Sequence, residues 1–216
     1  MRFITARLLT VALLLMVAGL SASCARQINT QVEQNAPAVD KKFTLTFYVE
    51  EGELLSLIVG ARPTITRSKL NYIPFEVGVV NRAVPNLTLS LESFTLIDED
   101  GNRYPAVGEI ELNKNYEGSV NADTALASNR TFRLGEIEPI IAGRYTTFRR
   151  QRGVLTPRTG RAELTNQFLE QFSFAVNMIY FPRPANSEVR GEIFELFMDA
   201  PELEDPVFVR FRVPKR

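Results

Sequence analysis

The stretch Val207-Phe208-Val209-Arg210-Phe211-Arg212-Val213 alternates without a break. Val207, Val209, Phe211 and Val213 fall on one side, and Phe208, Arg210 and Arg212 on the other. A period of two describes a strand with one buried face, because successive side chains of extended backbone point in opposite directions. The same period recurs along the chain. Phe43, Leu45, Phe47 and Val49 alternate with Thr44, Thr46, Tyr48 and Glu50. Leu54–Val59 is a short apolar run, and in Tyr72–Asn81 the residues Phe75, Val77 and Val79 share a side. Leu87, Leu89 and Leu91 are odd-numbered, whereas Phe94 and Leu96 are even. A shift of one residue turns every side chain over, so a bulge or short turn is expected near Glu92-Ser93. Glu192–Met198 completes the series.

Turn residues separate these runs. Asp98-Glu99-Asp100-Gly101-Asn102 reads as a hairpin turn, since Asp-Gly accepts the positive φ of tight turns. The oxygens of Asp98, Asp100 and Asn102 also make a weak calcium candidate. Further ligands are needed at fixed spacing, and Glu109 and Glu111 are distant. Ala200-Pro201 to Asp205-Pro206 is an acidic turn. Short strands with turn signals about every ten residues predict a mainly β chain, an antiparallel sandwich or barrel. One or two short helices are expected in insertions, at about 108–133 and 142–172. The first holds a short Ala-bearing patch, Ala122–Ala127, which could form a helical turn capped by Asn121 or Asp123. Over Leu164–Val176 both periods fit, and the expectation is a helix at Ala162–Phe172 followed by a strand at Phe174–Phe181, stopped by Pro182 and Pro184.

Composition closes many catalytic routes. The 216 residues contain no histidine and one cysteine, Cys24. Ser-His-Asp and Cys-His catalysis and histidine zinc sites are therefore excluded. No Walker loop and no Gly-x-Gly-x-x-Gly motif occurs, and no cofactor is expected. Basic and acidic residues balance at 25 each, which gives no global pull toward nucleic acid. Carboxylate chemistry stays open through the clusters Glu50, Glu51, Glu53 and Asp98, Asp100. A glycan hydrolase would need two of them facing across a cleft.

Residues Arg144–Arg161 stand apart. They hold Arg144, Arg149, Arg150, Arg152, Arg158 and Arg161, with Tyr145 and Phe148 interleaved and no acid. Arg144, Tyr145, Phe148, Arg149, Arg150 and Arg152 are the candidate contact for an anionic or protein partner. The alternative is a solvated loop whose arginines pair with acids elsewhere, such as Glu202, Glu204 and Asp205.

The first 23 residues read as an address. Met1–Arg7 carries Arg2 and Arg7 and no acid, Leu8–Leu20 is apolar apart from Thr10 and Gly19, and Ser21-Ala22-Ser23 is small. That order is a secretory signal peptide, and the apolar run is shorter than the ~20 residues of a membrane span. Leu20-Ser21-Ala22-Ser23-Cys24 resembles the lipobox of bacterial lipoproteins, with Ser21 where Leu is usual. The resemblance implies cleavage before Cys24, lipid on its thiol and a membrane as partner. Because Ala25 rather than Asp follows, it also implies the outer membrane if the source has two. Two or more acyl chains anchor stably. Residues 24–42 are polar, contain Pro37 and read as a tether, whose random coil would reach on the order of 20–25 Å. The domain is expected over 43–216.

Phe75–Tyr104, with its Asn81-Arg82 turn and Ser93-Phe94-Thr95-Leu96-Ile97-Asp98 hairpin strand, is similar to the immunoglobulin-like domains of bacterial lipoproteins. That resemblance implies an Ig-like β-sandwich and names no catalytic residue. The functional expectation is an extracytoplasmic, lipid-anchored, non-enzymatic binding or scaffolding module of the cell envelope. A carboxylate-dependent glycan hydrolase and a purely structural subunit of an envelope complex are the alternatives.

Overall fold

The structure is a computed structural model that describes residues 46–123, 137–157, 166–185 and 187–215. It is mainly β, with antiparallel sheets and three short helices among the described elements. The strands are β1 (Phe47–Glu51), β2 (Leu55–Gly60), β3 (Tyr72–Asn81), β4 (Asn86–Ser90), β5 (Phe94–Asp98), β6 (Arg103–Pro105), β7 (Arg149–Arg150), β8 (Asn166–Glu170), β9 (Ser173–Pro182), β10 (Ile193–Met198) and β11 (Val207–Arg212). The helices are α1 (Arg62–Arg67), α2 (Glu109–Asn115) and α3 (Ile137–Arg144). The order β1-β2-β3-β9-β7 forms one sheet, β11-β10-β5-β6 a second, and β4-β8 a third. All pairs are antiparallel except β7 with β9.

The two larger sheets share one core. Phe75 of β3 lies 5.2 Å from Phe211 and 6.4 Å from Phe194 of the second sheet, ring centre to ring centre. Val77, Val79, Leu96, Leu196 and Val209 surround them, with Leu87, Leu89 and Leu169 of the third sheet. Burying a side chain of this size is worth about 1.5–3 kcal/mol.

The other face of the five-stranded sheet is covered by helices. α3 lays Ile137 and Ile141 over Ile58, Val80 and Phe174. It comes that close because β2 and β3 offer Gly60 and Gly78. A Cβ on Gly78 would stand 2.7 Å from Ile137 Cγ2. α2 covers Tyr72, Met178 and Tyr180 through Leu112. With both faces covered, β3 is buried along its whole length. Pro74 fits inside it because pairing with β2 stops at Glu76, so the missing N–H lies where β3 has no neighbour on that side. The Thr64 hydroxyl donates to the Pro74 carbonyl there, at 2.5 Å.

Several expectations meet the structure directly. The phase slip is a turn, in which Ser93 N–H donates to Ser90 O (3.3 Å) and Phe94 N–H to Leu91 O (3.0 Å). Its consequence is larger than a bulge, because the chain leaves the third sheet at β4 and enters the second at β5. β11 buries Val209, Phe211 and Val213 as the alternation requires.

Three readings are corrected. The helix expected over Ala162–Phe172 is strand β8 at Asn166–Glu170, and residues 162–165 lie outside the described part. Pairing with β4 and burial of Gln167 and Leu169 select the period of two over the helical spacing. In β1 the apolar residues Phe47 and Val49 face the α3 cluster, while Tyr48 packs on the main core. Its hydroxyl donates to Arg212 O at 2.5 Å. The helical turn in the first insertion starts earlier than expected. Ser119, not Asn121 or Asp123, caps residues 120–123, its hydroxyl accepting from Ala122 N–H at 3.3 Å. Ala125–Ala127 lie outside the described residues. α1 had no sequence expectation, although Pro63 in its first turn is a start signal.

Candidate functional site

The basic segment begins where α3 ends and runs along the edge of the five-stranded sheet. Arg149 N–H donates to Phe172 O and Gln151 N–H to Phe174 O, both at 2.8 Å, which holds the segment against β9. Arg144 stands 3.0 Å from Glu51, and Arg150 3.0 Å from Glu138. Arg149 pairs with Glu170. The arginines therefore do meet carboxylates, but not Glu202, Glu204 or Asp205. β1, α3 and β8 bring other acids alongside. Arg152 is exposed, and its carbonyl accepts from Gln167 Nε2 at 3.0 Å. Arg158 and Arg161 lie outside the described residues.

The aromatic residues of the segment form a ladder. Tyr145 and Phe148 meet edge to face at 5.0 Å, and Phe148 meets Phe172 at 5.6 Å. Phe172 is 55% exposed at the β8–β9 turn, with φ of 55°. The Tyr145 hydroxyl donates to Glu51 Oε1 and shares a hydrogen bond with Ser56 Oγ, each at 2.9 Å. Burial raises its pKa and the Glu51 charge adds to this, while Ser56 opposes it. Charged pairs around an aromatic strip thus occupy the end of the sheet where the β1–β2 and β8–β9 turns lie.

The ion pairs here are open to water. The Arg149 and Glu170 side chains are 62% and 59% exposed. Such pairs are worth about 0–1 kcal/mol, so each guanidinium can exchange its carboxylate for another at little cost.

The remaining candidates have local roles. Asp98 accepts from Asp100 N–H (3.0 Å), Asn102 N–H (2.8 Å), Asn102 Nδ2 (2.9 Å) and the Tyr104 hydroxyl (2.8 Å). Those donors organise the β5–β6 hairpin around Gly101, whose φ is 83°. Burial would raise the Asp98 pKa, but the hydrogen bonds outweigh it and hold the carboxyl below its usual value. The same contact, after burial, pushes Tyr104 up to about 12. Asp100 and Asn102 are exposed. Glu111 accepts from the Tyr72 hydroxyl at 2.5 Å, and Glu109 is buried in α2. Burial raises the pKa of Glu50, and Glu53 is exposed at the β1–β2 turn. Among the described residues no group of three or more His, Cys, Asp or Glu could hold a metal ion. No helix of the described residues is long and apolar enough to cross a membrane. Cys24 lies outside the described residues.

One polar cluster had no sequence expectation. Asp123 is buried and accepts from Arg67 Nε at 2.5 Å, from the Tyr116 hydroxyl at 2.6 Å and from the Tyr180 hydroxyl at 3.2 Å. Tyr116 and Tyr180 meet edge to face at 5.5 Å. Burial first, and then the Asp123 carboxylate, push both phenols well above their ordinary range. Four residues from α1, the first insertion and β9 converge on one carboxylate, which pins the insertion to the sheet. Their separation in sequence left no local signal; a lone Asp on an apolar helical turn is the nearest to one.

No family model and no curated protein matches the chain. Among solved structures, the yjhA protein from Bacillus subtilis is similar at 10% identity and a TM-score of 0.39, over 76% of this chain and 95% of that one. A likeness at that level assigns neither a fold family nor a function.

Proposed function

We propose that the protein is a lipid-anchored, extracytoplasmic module that binds or scaffolds envelope components without catalysis. The carrying observation is the N-terminal order of charged start, apolar run, small residues and Cys24. Lipid on Cys24 would tether the domain through residues 25–42, and the absence of Asp after the cysteine favours an outer membrane where there are two. The finer fold reading belongs here too. Two sheets facing across a Phe75–Phe194–Phe211 core support an Ig-like sandwich.

The contact surface in this reading is the ladder Tyr145–Phe148–Phe172 with Arg144, Arg149, Arg150 and Arg152. Weak intramolecular pairs keep those arginines exchangeable for the carboxylates or phosphates of a partner.

The test is fractionation of wild type and Cys24→Ser with a labelled fatty acid supplied to cells. The wild type should carry label and sediment with membranes, and the variant should do neither. A wild type without label, or a variant still fully membrane-bound, rejects the anchor.

A further inference from the structure

An edge strand offers unpaired N–H and C=O groups to any further strand, and proteins defend such edges with charge, proline or shortness. The ends of the two larger sheets are defended in those ways. β1 carries Glu50 and Glu51, β11 carries Arg210 and Arg212, β6 has three residues including Arg103 and Pro105, and β7 has two, both arginine. β4 differs. It runs five residues, Asn86-Leu87-Thr88-Leu89-Ser90, with neither charge nor proline. Leu87 and Leu89 are buried, and Asn86, Thr88 and Ser90 form the other row.

β4 pairs with β8 on one side, with Thr88 opposite Phe168. The Thr88 N–H is not spent on that partner. It donates to Glu202 Oε2 at 3.0 Å, and the Thr88 hydroxyl donates to Glu202 Oε1 at 2.7 Å. Two residues on, Ser90 N–H donates to Ser93 Oγ at 3.1 Å. A backbone N–H lies in the plane of its sheet, so the Glu202 carboxylate sits where the carbonyl of a neighbouring strand would sit. Glu202 belongs to the turn between β10 and β11, whose backbone is held by Asp199 N–H on Ser93 O (2.8 Å) and by Leu203 against the core. The side chain itself is exposed and bound only through these contacts with Thr88 among those described.

We propose that β4 is a strand-docking edge held shut by Glu202, and that its occupant is the β4 edge of a second copy of this chain, paired antiparallel about Thr88. The sequence of the strand suits that partner. Two-fold pairing sets Thr88 opposite Thr88 and Asn86 opposite Ser90, so no like charges meet, and cross-strand Thr–Thr pairs are favourable. It would join two β4–β8 pairs into one four-stranded sheet, β8-β4-β4-β8. Each of the edges of the two larger sheets would instead oppose like charges or lack length.

The test is sedimentation equilibrium of the full chain as wild type, Glu202→Ala, Glu202→Gln and the double variant Glu202→Ala/Thr88→Lys, with circular dichroism on each. Glu202→Ala should tighten self-association by about 10-fold or more, the scale of one charge-assisted hydrogen bond. Glu202→Gln should fall between it and wild type, and Thr88→Lys should return the double variant to wild-type behaviour. A Glu202→Ala variant that keeps its dichroism and associates no more than wild type overturns the proposal. So does a double variant as associated as Glu202→Ala. If Glu202→Ala loses its fold, Glu202→Gln decides, and no gain in association overturns the proposal.

Discussion

Replacing Asp123 with alanine removes the acceptor shared by Arg67, Tyr116 and Tyr180, and the structure sets the size of the loss. The Asp123 side chain is 1% exposed and that of Arg67 is 23% exposed, so the guanidinium can turn to water. The Tyr180 hydroxyl cannot, since that residue is 0% exposed. An unsatisfied buried hydroxyl costs about 1–3 kcal/mol, and hydrogen bonds to a charged group are worth about 1.5–3 kcal/mol each. Breaking a buried pair by deleting one partner costs about 3–5 kcal/mol, which is the expected total here. For a chain of this length that corresponds to a fall in Tm of about 6–20 °C. Urea unfolding followed by dichroism measures it through the midpoint, with the slope confirming that the unfolded reference is unchanged. Asp123→Asn keeps an acceptor and the shape, so it should lose about 1–2 kcal/mol. Tyr180→Phe in the alanine background should recover part of the loss by removing the orphaned hydroxyl. A loss below about 1 kcal/mol for Asp123→Ala would refute the pinning role.

Raising the pH tests the same cluster from the other side. Tyr180 stands above its unfolded value of about 10, so its contribution is complete below pH 10 and drains away as pH rises further, by about 1.4 kcal/mol per unit. Urea midpoints between pH 9 and 11.5 should fall, and Tyr180→Phe should flatten the fall; equal slopes would exclude the mechanism. Gly78→Ala should cost about 1–3 kcal/mol by driving a methyl into Ile137, and Ile137→Ala should restore part of it in a double-mutant cycle, an additive result counting against the close approach. Arg149→Glu should change stability by less than about 1 kcal/mol because its pair with Glu170 is exposed, and should weaken any partner captured by crosslinking at the Tyr145–Phe172 ladder. At acid pH the β5–β6 hairpin should loosen as Asp98 protonates. Its carboxyl lies below the usual range, so the contribution is present above about pH 4 and lost below it, which amide exchange at Asp100 and Asn102 reads.

The strand content of this protein is legible in its sequence because extended backbone writes a period of two wherever one face is buried. β11, β10 and β3 carry that signature, and the Asp98–Asn102 turn carries the chemistry of its own hairpin. Even the change of sheet between β4 and β5 left a trace, as a slip from odd to even positions. The same short-range information is silent on what covers each face. Phe47 and Tyr48 exchange their expected roles because α3 offers an apolar roof outside β1. β8 is a strand because β4 is there to pair with it, although its residues also fit a helix. The carboxylates that meet Arg144, Arg149 and Arg150 come from β1, α3 and β8, not from the acidic turn at Glu202. Glu202 and Asp123 look alike in sequence as acids near turns. Tertiary structure decides that one guards a strand edge in water and the other pins an insertion in the interior, since each depends on donors brought from distant segments. The sequence by itself determined the periodicity, the turns and the address-like N-terminus, all properties of neighbouring residues. Only the tertiary structure decided partners, because a hydrogen bond or ion pair is chosen by distance in space and not by separation along the chain.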